Sequence, residues 1–169
     1  MRQRKFGVLS LDVAAGSTGW SFSVKTRLVD YGVIKTSPSF KRAKRLLRFR
    51  EQLEKILRKY KPSYIIIENG YLRRNVTTLK VLSEFSGVAK EVCMDILKVE
   101  AYIMNVNTTR SFFGVKGKED IFNKVIGFYN LKLDFKKDND ISDAISQSLC
   151  FYYKILKGCD KFEDTKKQR

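Results

Sequence analysis

Apolar and polar residues alternate along the first part of the chain and recur at helical spacing along most of the rest. Residues 6–13 (FGVLSLDV) form a short, β-rich, mostly apolar run and predict a buried strand. The small residues 14–19 (AAGSTG) predict a turn, after which 18–25 and 28–36 alternate as strands on either side of Lys25, Thr26 and Arg27. Sequential strands with such short links form an antiparallel meander. Ser37, Pro38 and Ser39 end it and start a helix over 40–60, where Ala43, Leu46, Leu47, Leu53, Ile56, Leu57 and Tyr60 recur at helical spacing. The continuous run 64–68 (YIIIE) predicts a strand covered on both faces. A second helix is expected over 76–97, a strand over 101–106, and helices over 121–129 and 141–156. The order βββ–α–β–α–β–α–α predicts one α/β domain over 1–158, a mixed central sheet with helices on both faces. Residues 159–169 hold too few apolar side chains to pack and are expected to form a mobile basic tail.

Charge then narrows the partners. The 169 residues carry 34 Lys+Arg against 18 Asp+Glu, a net charge of +16, which draws a domain to polyanions. Nine of the cations fall on the 40–60 helix, where they could track phosphates. There is no histidine, so Ser–His–Asp and Cys–His relays, HExxH zinc sites and histidine bases are all excluded. Three cysteines, Cys93, Cys150 and Cys159, without CxxC spacing argue against a disulfide framework or zinc ribbon and for a reducing interior, the cytoplasm or another reducing intracellular compartment. The basic N-terminus leads into a run broken by Asp12 rather than a signal peptide, and no stretch has the ~18 apolar residues needed to span a bilayer.

Carboxylates supply the candidate chemistry. Asp12 ends the first strand and Glu68 the most apolar one, while Asp140 and Asp143 open the last helix three residues apart, on one face. If the first and fourth strands are neighbours, Asp12 and Glu68 project from the same sheet edge, where α/β folds gather functional groups. Four converging carboxylates form an all-oxygen site suited to Mg²⁺ or Mn²⁺. Two such ions roughly 4 Å apart clamp the attacking and leaving oxygens of a phosphodiester. Taken singly, Asp12 can instead be a turn aspartate, and Asp140 a helix cap with Asp143 in the first turn. Nothing local requires an acid at Glu68. Residues 12–19 also resemble the phosphate loop of actin-like ATPases, but that fold needs two lobes, more than 169 residues supply.

Four motifs in order then resemble the RuvC-type Holliday-junction resolvases of the RNase H-like superfamily. They are LSLDVAAGSTGWSFS with Asp12, IIIENGY with Glu68 and Tyr71, TTLKVLSEFSGVAKEV with Gly87, and DISDAIS with Asp140 and Asp143. The resemblance implies an RNase H-like mixed sheet, a three-strand antiparallel meander plus two parallel strands, flanked by helices. It implies a Mg²⁺-dependent endonuclease, with two ions held by Asp12, Glu68, Asp140 and Asp143 and Mn²⁺ able to substitute. It also implies a homodimer through helix 76–97 that nicks four-way DNA junctions symmetrically. Tyr71 would stack on or wedge a base near the crossover, Arg73 and Arg74 would hold phosphates, and Arg110 sits near another of the family's basic positions. The family's glycine-rich segment and functional lysine are compressed here into GVKGK, leaving Lys116 and Lys118 as candidates. The alternatives are an RNase H-like nuclease for other branched DNA or RNA–DNA hybrid, and a non-catalytic basic nucleic-acid-binding module.

Overall fold

A computed structural model of the protein describes residues 6–69 and 75–168. Three strands open the fold: β1 (Gly7–Asp12), β2 (Ser17–Val24) and β3 (Arg27–Lys35). They form the expected antiparallel meander. Next come α1 (Arg42–Tyr60), β4 (Tyr64–Asn69), α2 (Val76–Leu97) and β5 (Tyr102–Asn105). Three helices, α3 (Val106–Phe113), α4 (Lys118–Tyr129) and α5 (Phe135–Cys150), complete the alternation. A π-helical stretch (Phe151–Leu156) continues α5, and a 3-10 segment (Phe162–Gln168) follows. The sheet order is β3-β2-β1-β4-β5, with β4 parallel to both β1 and β5.

Side-chain alternation sorts the sheet into two unlike faces. Leu9 and Leu11 of β1 and Ile65 and Ile67 of β4 point to one face, where they pack with Phe49, Leu53 and Leu57 of α1 and with Phe85, Ala89 and Val92 of α2. The opposite face carries Val8 and Ile66 beneath α5, whose residues 141–150 are all buried. Arg50 of α1 ion-pairs with Glu54 and reaches across to Glu91 and Asp95 of α2. Arg42 pairs with Glu84, and Arg48, Arg58 and Lys59 also have acidic partners. The α1 cations expected to track phosphates are therefore in large part paired within the fold.

Several boundaries depart from the sequence expectation for local reasons. The strand expected over 101–106 ends at Asn105, and a helix not read from the sequence, α3, follows it directly. The Asn105 side chain accepts the Asn107 N–H at the helix start, and Gly114 closes the helix at φ 65°. Helix α5 begins at Phe135, not 141, because the Asp134 carboxylate accepts the N–H groups of Lys136 and Lys137. Asp140 is thus an interior helical residue and not a cap. The terminal segment, expected not to pack, buries Cys159, Phe162 and Thr165. The Phe162 ring lies 4.7 Å from that of Phe113 and 5.5 Å from that of Phe128.

Candidate active site

The β1–β4 register pairs Leu11 with Ile67, so Asp12 and Glu68 follow at neighbouring ends of parallel strands. Parity puts both on the face covered by α5. On the other side of β1, Asp12 pairs with Gly19 of β2. A side chain at Gly19 would not fit: a Cβ there would lie 2.0 Å from the Asp140 carbonyl oxygen. Glycine thus lets the α5 backbone descend onto the strand beside Asp12.

Below that contact, a row of small polar residues replaces an apolar interface. Ser17 Oγ donates to Asp140 Oδ2 (2.8 Å), Ser21 Oγ donates to the Ala144 carbonyl (3.0 Å), and Ser23 and Ser148 hydroxyls meet at 2.5 Å. Positions 140, 144 and 148 are successive i,i+4 steps, so one helical stripe is bonded to alternate β2 residues. Asp143 and Gln147 lie one step round the helix, toward β1 and β4. Gln147 Nε2 donates to Glu68 Oε2 (2.8 Å), and Ser10 Oγ donates to Gln147 Oε1 (3.0 Å). A helix bonded at this many points cannot slide without breaking buried hydrogen bonds, and so its acids hold a fixed height over the sheet edge.

Electrostatics agrees that the acids are crowded. Burial pushes the Asp12 carboxyl well above the usual carboxylate range, with the charges of Glu68, Asp143 and Asp140 adding to it and Lys118 opposing. Burial also raises Asp143, although Lys118 Nζ contacts its Oδ2. Desolvation opposes the charged form of Lys118, but its pKa still moves up because Asp143, Asp12 and Glu68 together favour the ammonium. Among the described residues no three acids or thiols are gathered closely enough to hold a metal ion as they stand. The donors nonetheless fit a hard divalent cation: they are all oxygen, they repel one another, and they have already drawn in an ammonium group.

The lysines separate clearly. Lys118, the first residue of α4, touches Asp143, whereas Lys116 lies exposed in the preceding turn. Arg110 joins Glu68, Lys118 and Asp143 around a small cavity, and its buried Nε has no hydrogen-bond partner among the described residues. A second cavity, about 180 Å³, opens between Val13, Glu68 and the Leu79, Ser83, Gly87 and Lys90 side of α2. Tyr71, Arg73 and Arg74 lie outside the described residues. Sequence reasoning overlooked Gly19, Ser10, Ser17 and Gln147. The signal was the alternation of small polar residues along β2 with Ser10 in β1, and a glutamine four residues after Asp143 among buried helix positions.

Residues 8–151 match the family described as crossover junction endodeoxyribonuclease RuvC. The chain belongs to the RuvC family. The RuvC of Caldicellulosiruptor saccharolyticus is 27% identical over 150 residues, covering 85% of this chain and 90% of that one. The RuvC of Petrotoga mobilis is 33% identical over 99 residues, 56% of this chain and 60% of its own. Among solved structures, Thermus thermophilus RuvC in complex with a Holliday junction substrate superposes with a TM-score of 0.80 at 18% identity, covering 92% of this chain and 98% of that one. The yeast mitochondrial Holliday junction resolvase Ydc2 gives 0.60 at 13% identity, covering 95% and 83%. These likenesses establish the RuvC architecture, and with it the RNase H-like sheet, for this chain.

Proposed function

We propose that this RuvC-family protein resolves four-way DNA junctions by paired symmetric nicks, using Mg²⁺ held by Asp12, Glu68, Asp140 and Asp143. The observation carrying this reading is the placement of Asp12 and Glu68 on adjacent β1 and β4 ends beneath the α5 that carries Asp140 and Asp143, with Lys118 against Asp143. Bound Mg²⁺, with Mn²⁺ as a substitute, supplies an acidified water and a Lewis acid at the scissile phosphate. The protein's own groups orient and neutralise. Lys118 offsets charge added to the phosphate, and Arg110 lies beside it around the same recess as a second cation. Lys116, Tyr71, Arg73 and Arg74 are assigned to the approaching DNA.

Two symmetric nicks require two sites, and we assign dimerisation to α2, whose Val76 and Met94 remain 69% and 46% exposed in the single chain. No helix among the described residues is long and apolar enough to cross a membrane. Buried thiols at Cys93 and Cys150 suit a reducing compartment that contains DNA.

The test incubates the protein with end-labelled four-way junction, duplex, flap and RNA–DNA hybrid, each with Mg²⁺ and with EDTA. Symmetric nicks confined to the junction in Mg²⁺ support the reading. Preferential cleavage of hybrid or flap redirects it to another RNase H-like nuclease. Binding with no cleavage in either ion leaves a nucleic-acid-binding module.

A further inference from the structure

Glu68 is held by an amide, whereas Asp143 is held by a cation, and the difference has a chemical meaning. Gln147 sits one turn beyond Asp143 on α5, only 1% exposed, between Glu68 of β4 and Ser10 of β1. The hydrogen-bond directions leave no freedom. A carboxylate only accepts, so the Gln147 NH₂ must face Glu68 Oε2, and its carbonyl must then face Ser10. Ser10 is 0% exposed, and its hydroxyl donates to that carbonyl over 3.0 Å. The result is a buried chain, Ser10 to Gln147 to Glu68, linking β1, α5 and β4, the same elements that carry Asp12, Asp143 and Glu68.

We propose that Gln147, oriented by Ser10, is a positioning residue that fixes the plane of the Glu68 carboxylate for divalent-cation binding without neutralising it. A lysine or arginine at 147 would orient Glu68 equally well but would compete with the cation for its charge. A glutamate would place a second carboxylate against the first. An amide satisfies both requirements. A hydrophobic residue of the same volume would fill the space but remove the Gln147 donor from Glu68 and the acceptor of the Ser10 hydroxyl. This inference rests on the reading of Glu68 as part of the metal-holding set.

The variants Gln147→Met, Ser10→Ala and their combination test it, with wild type and Glu68→Gln as references. Three readouts are needed: Mg²⁺ binding to the DNA-free full-length protein by calorimetry, single-turnover junction cleavage against Mg²⁺ concentration, and junction binding in EDTA. Groups that orient a metal-holding side chain typically change metal affinity or activity by about 10- to 100-fold when removed. Gln147→Met is expected to weaken Mg²⁺ binding and raise the Mg²⁺ needed for half-maximal cleavage by about tenfold, with junction binding in EDTA unchanged. Ser10→Ala is expected to move both in the same direction by less. The double variant is expected to match Gln147→Met, because Ser10 acts through Gln147.

Wild-type Mg²⁺ affinity in Gln147→Met, or additive losses in the double variant, overturns the positioning role while the endonuclease reading stands. Should Gln147→Met fail to fold, Ser10→Ala decides alone, and an unchanged Mg²⁺ midpoint overturns the role. If Glu68→Gln cleaves and binds Mg²⁺ as wild type does, the metal assignment of Glu68 fails, and the positioning role falls with it.

Discussion

Replacing Gly19 with alanine would place a methyl carbon 2.0 Å from the Asp140 carbonyl oxygen, 2.3 Å from its carbonyl carbon and 2.9 Å from the Ile141 nitrogen. Ordinary contact begins at 3.4 Å, so the deficit at the oxygen is about 1.4 Å. All three obstructing atoms are helix backbone, and none can rotate away. Either α5 lifts from β2 or the β2 edge moves outward, and the Ser17–Asp140 and Ser21–Ala144 bonds lie on the path of that motion. Overpacking of a fitted interior costs about 1–3 kcal/mol, and an unyielding backbone obstacle puts this case near the upper end. For a protein of this size about 3 kcal/mol corresponds to a fall of about 6–12 °C in melting temperature. Displacement of catalytic groups by about 1 Å costs on the order of 100-fold in rate, because Asp140 moves away from Asp12 just where the strand pairing brought them together. Thermal melts and single-turnover cleavage of a labelled junction measure the two effects, with Gly16→Ala, where a Cβ meets nothing within 4 Å, as the reference. A Gly19→Ala protein that melts and cleaves like wild type would refute the close-approach account.

Other outcomes follow from the same geometry. A carboxyl whose pKa is higher folded than unfolded adds stability below its unfolded pKa and loses it as pH rises through the folded value. Burial and neighbouring acids put Asp12 in this class, so in EDTA the protein should lose stability from about pH 4 upward. Asp12→Asn should then be more stable than wild type at neutral pH in EDTA, yet lose cleavage while still binding junctions. Melts in EDTA across that range check the sign, and equal stability at neutral pH counts against it. Lys118→Ala is expected to slow cleavage about 100-fold, whereas Lys116→Ala stays near wild type; single-turnover rates compare them, and the reverse order would transfer the role to Lys116. Gly127→Ala, in the exposed interior of α4 with nothing within 4 Å of the new Cβ, should raise stability by up to about 1 kcal/mol in urea titrations. Burial pushes the Cys93 and Cys150 thiols up to about 12, so thiol reagents should label neither in the native protein and both in denaturant.

The meander, the apolar β4 and the long α2 were legible because each buries a face whose period shows directly in the sequence. Helix 76–97 matches at both ends, where Asn75 caps the first turn. What escaped was set by short polar residues. Asp134 was indistinguishable from the other acids of its loop until its two N–H partners showed that α5 begins there. The eight residues of α3 are too few for an apolar stripe to emerge, and only Asn105 and Gly114 mark its ends. The acids of the site were legible one by one, as charged residues at strand ends, but their height relative to one another was not. That height depends on Gly19 and the serines of β2, whose meaning appears only once α5 is known to lie on them. The ion pairs of α1 escaped for a related reason: sequence shows the cations of that helix but not the Glu84, Glu91 and Asp95 that α2 turns toward Arg42 and Arg50.

The two faces of the sheet also divide how the protein can change. Beneath α1 and α2, Leu9, Leu11, Phe49, Leu53, Ile65, Ile67 and Phe85 form an interlayer of hydrocarbon in which volume matters more than identity. Beneath α5, hydroxyls, a glycine and an amide interrupt the hydrocarbon of Val8, Ile66, Ile141 and Ile145, and at those polar positions identity matters more than volume. A lineage can therefore adjust its thermal range by exchanging aliphatic residues on the first face without disturbing the cutting edge. Those polar positions accept few exchanges, and a designer seeking a hardier resolvase would leave them untouched.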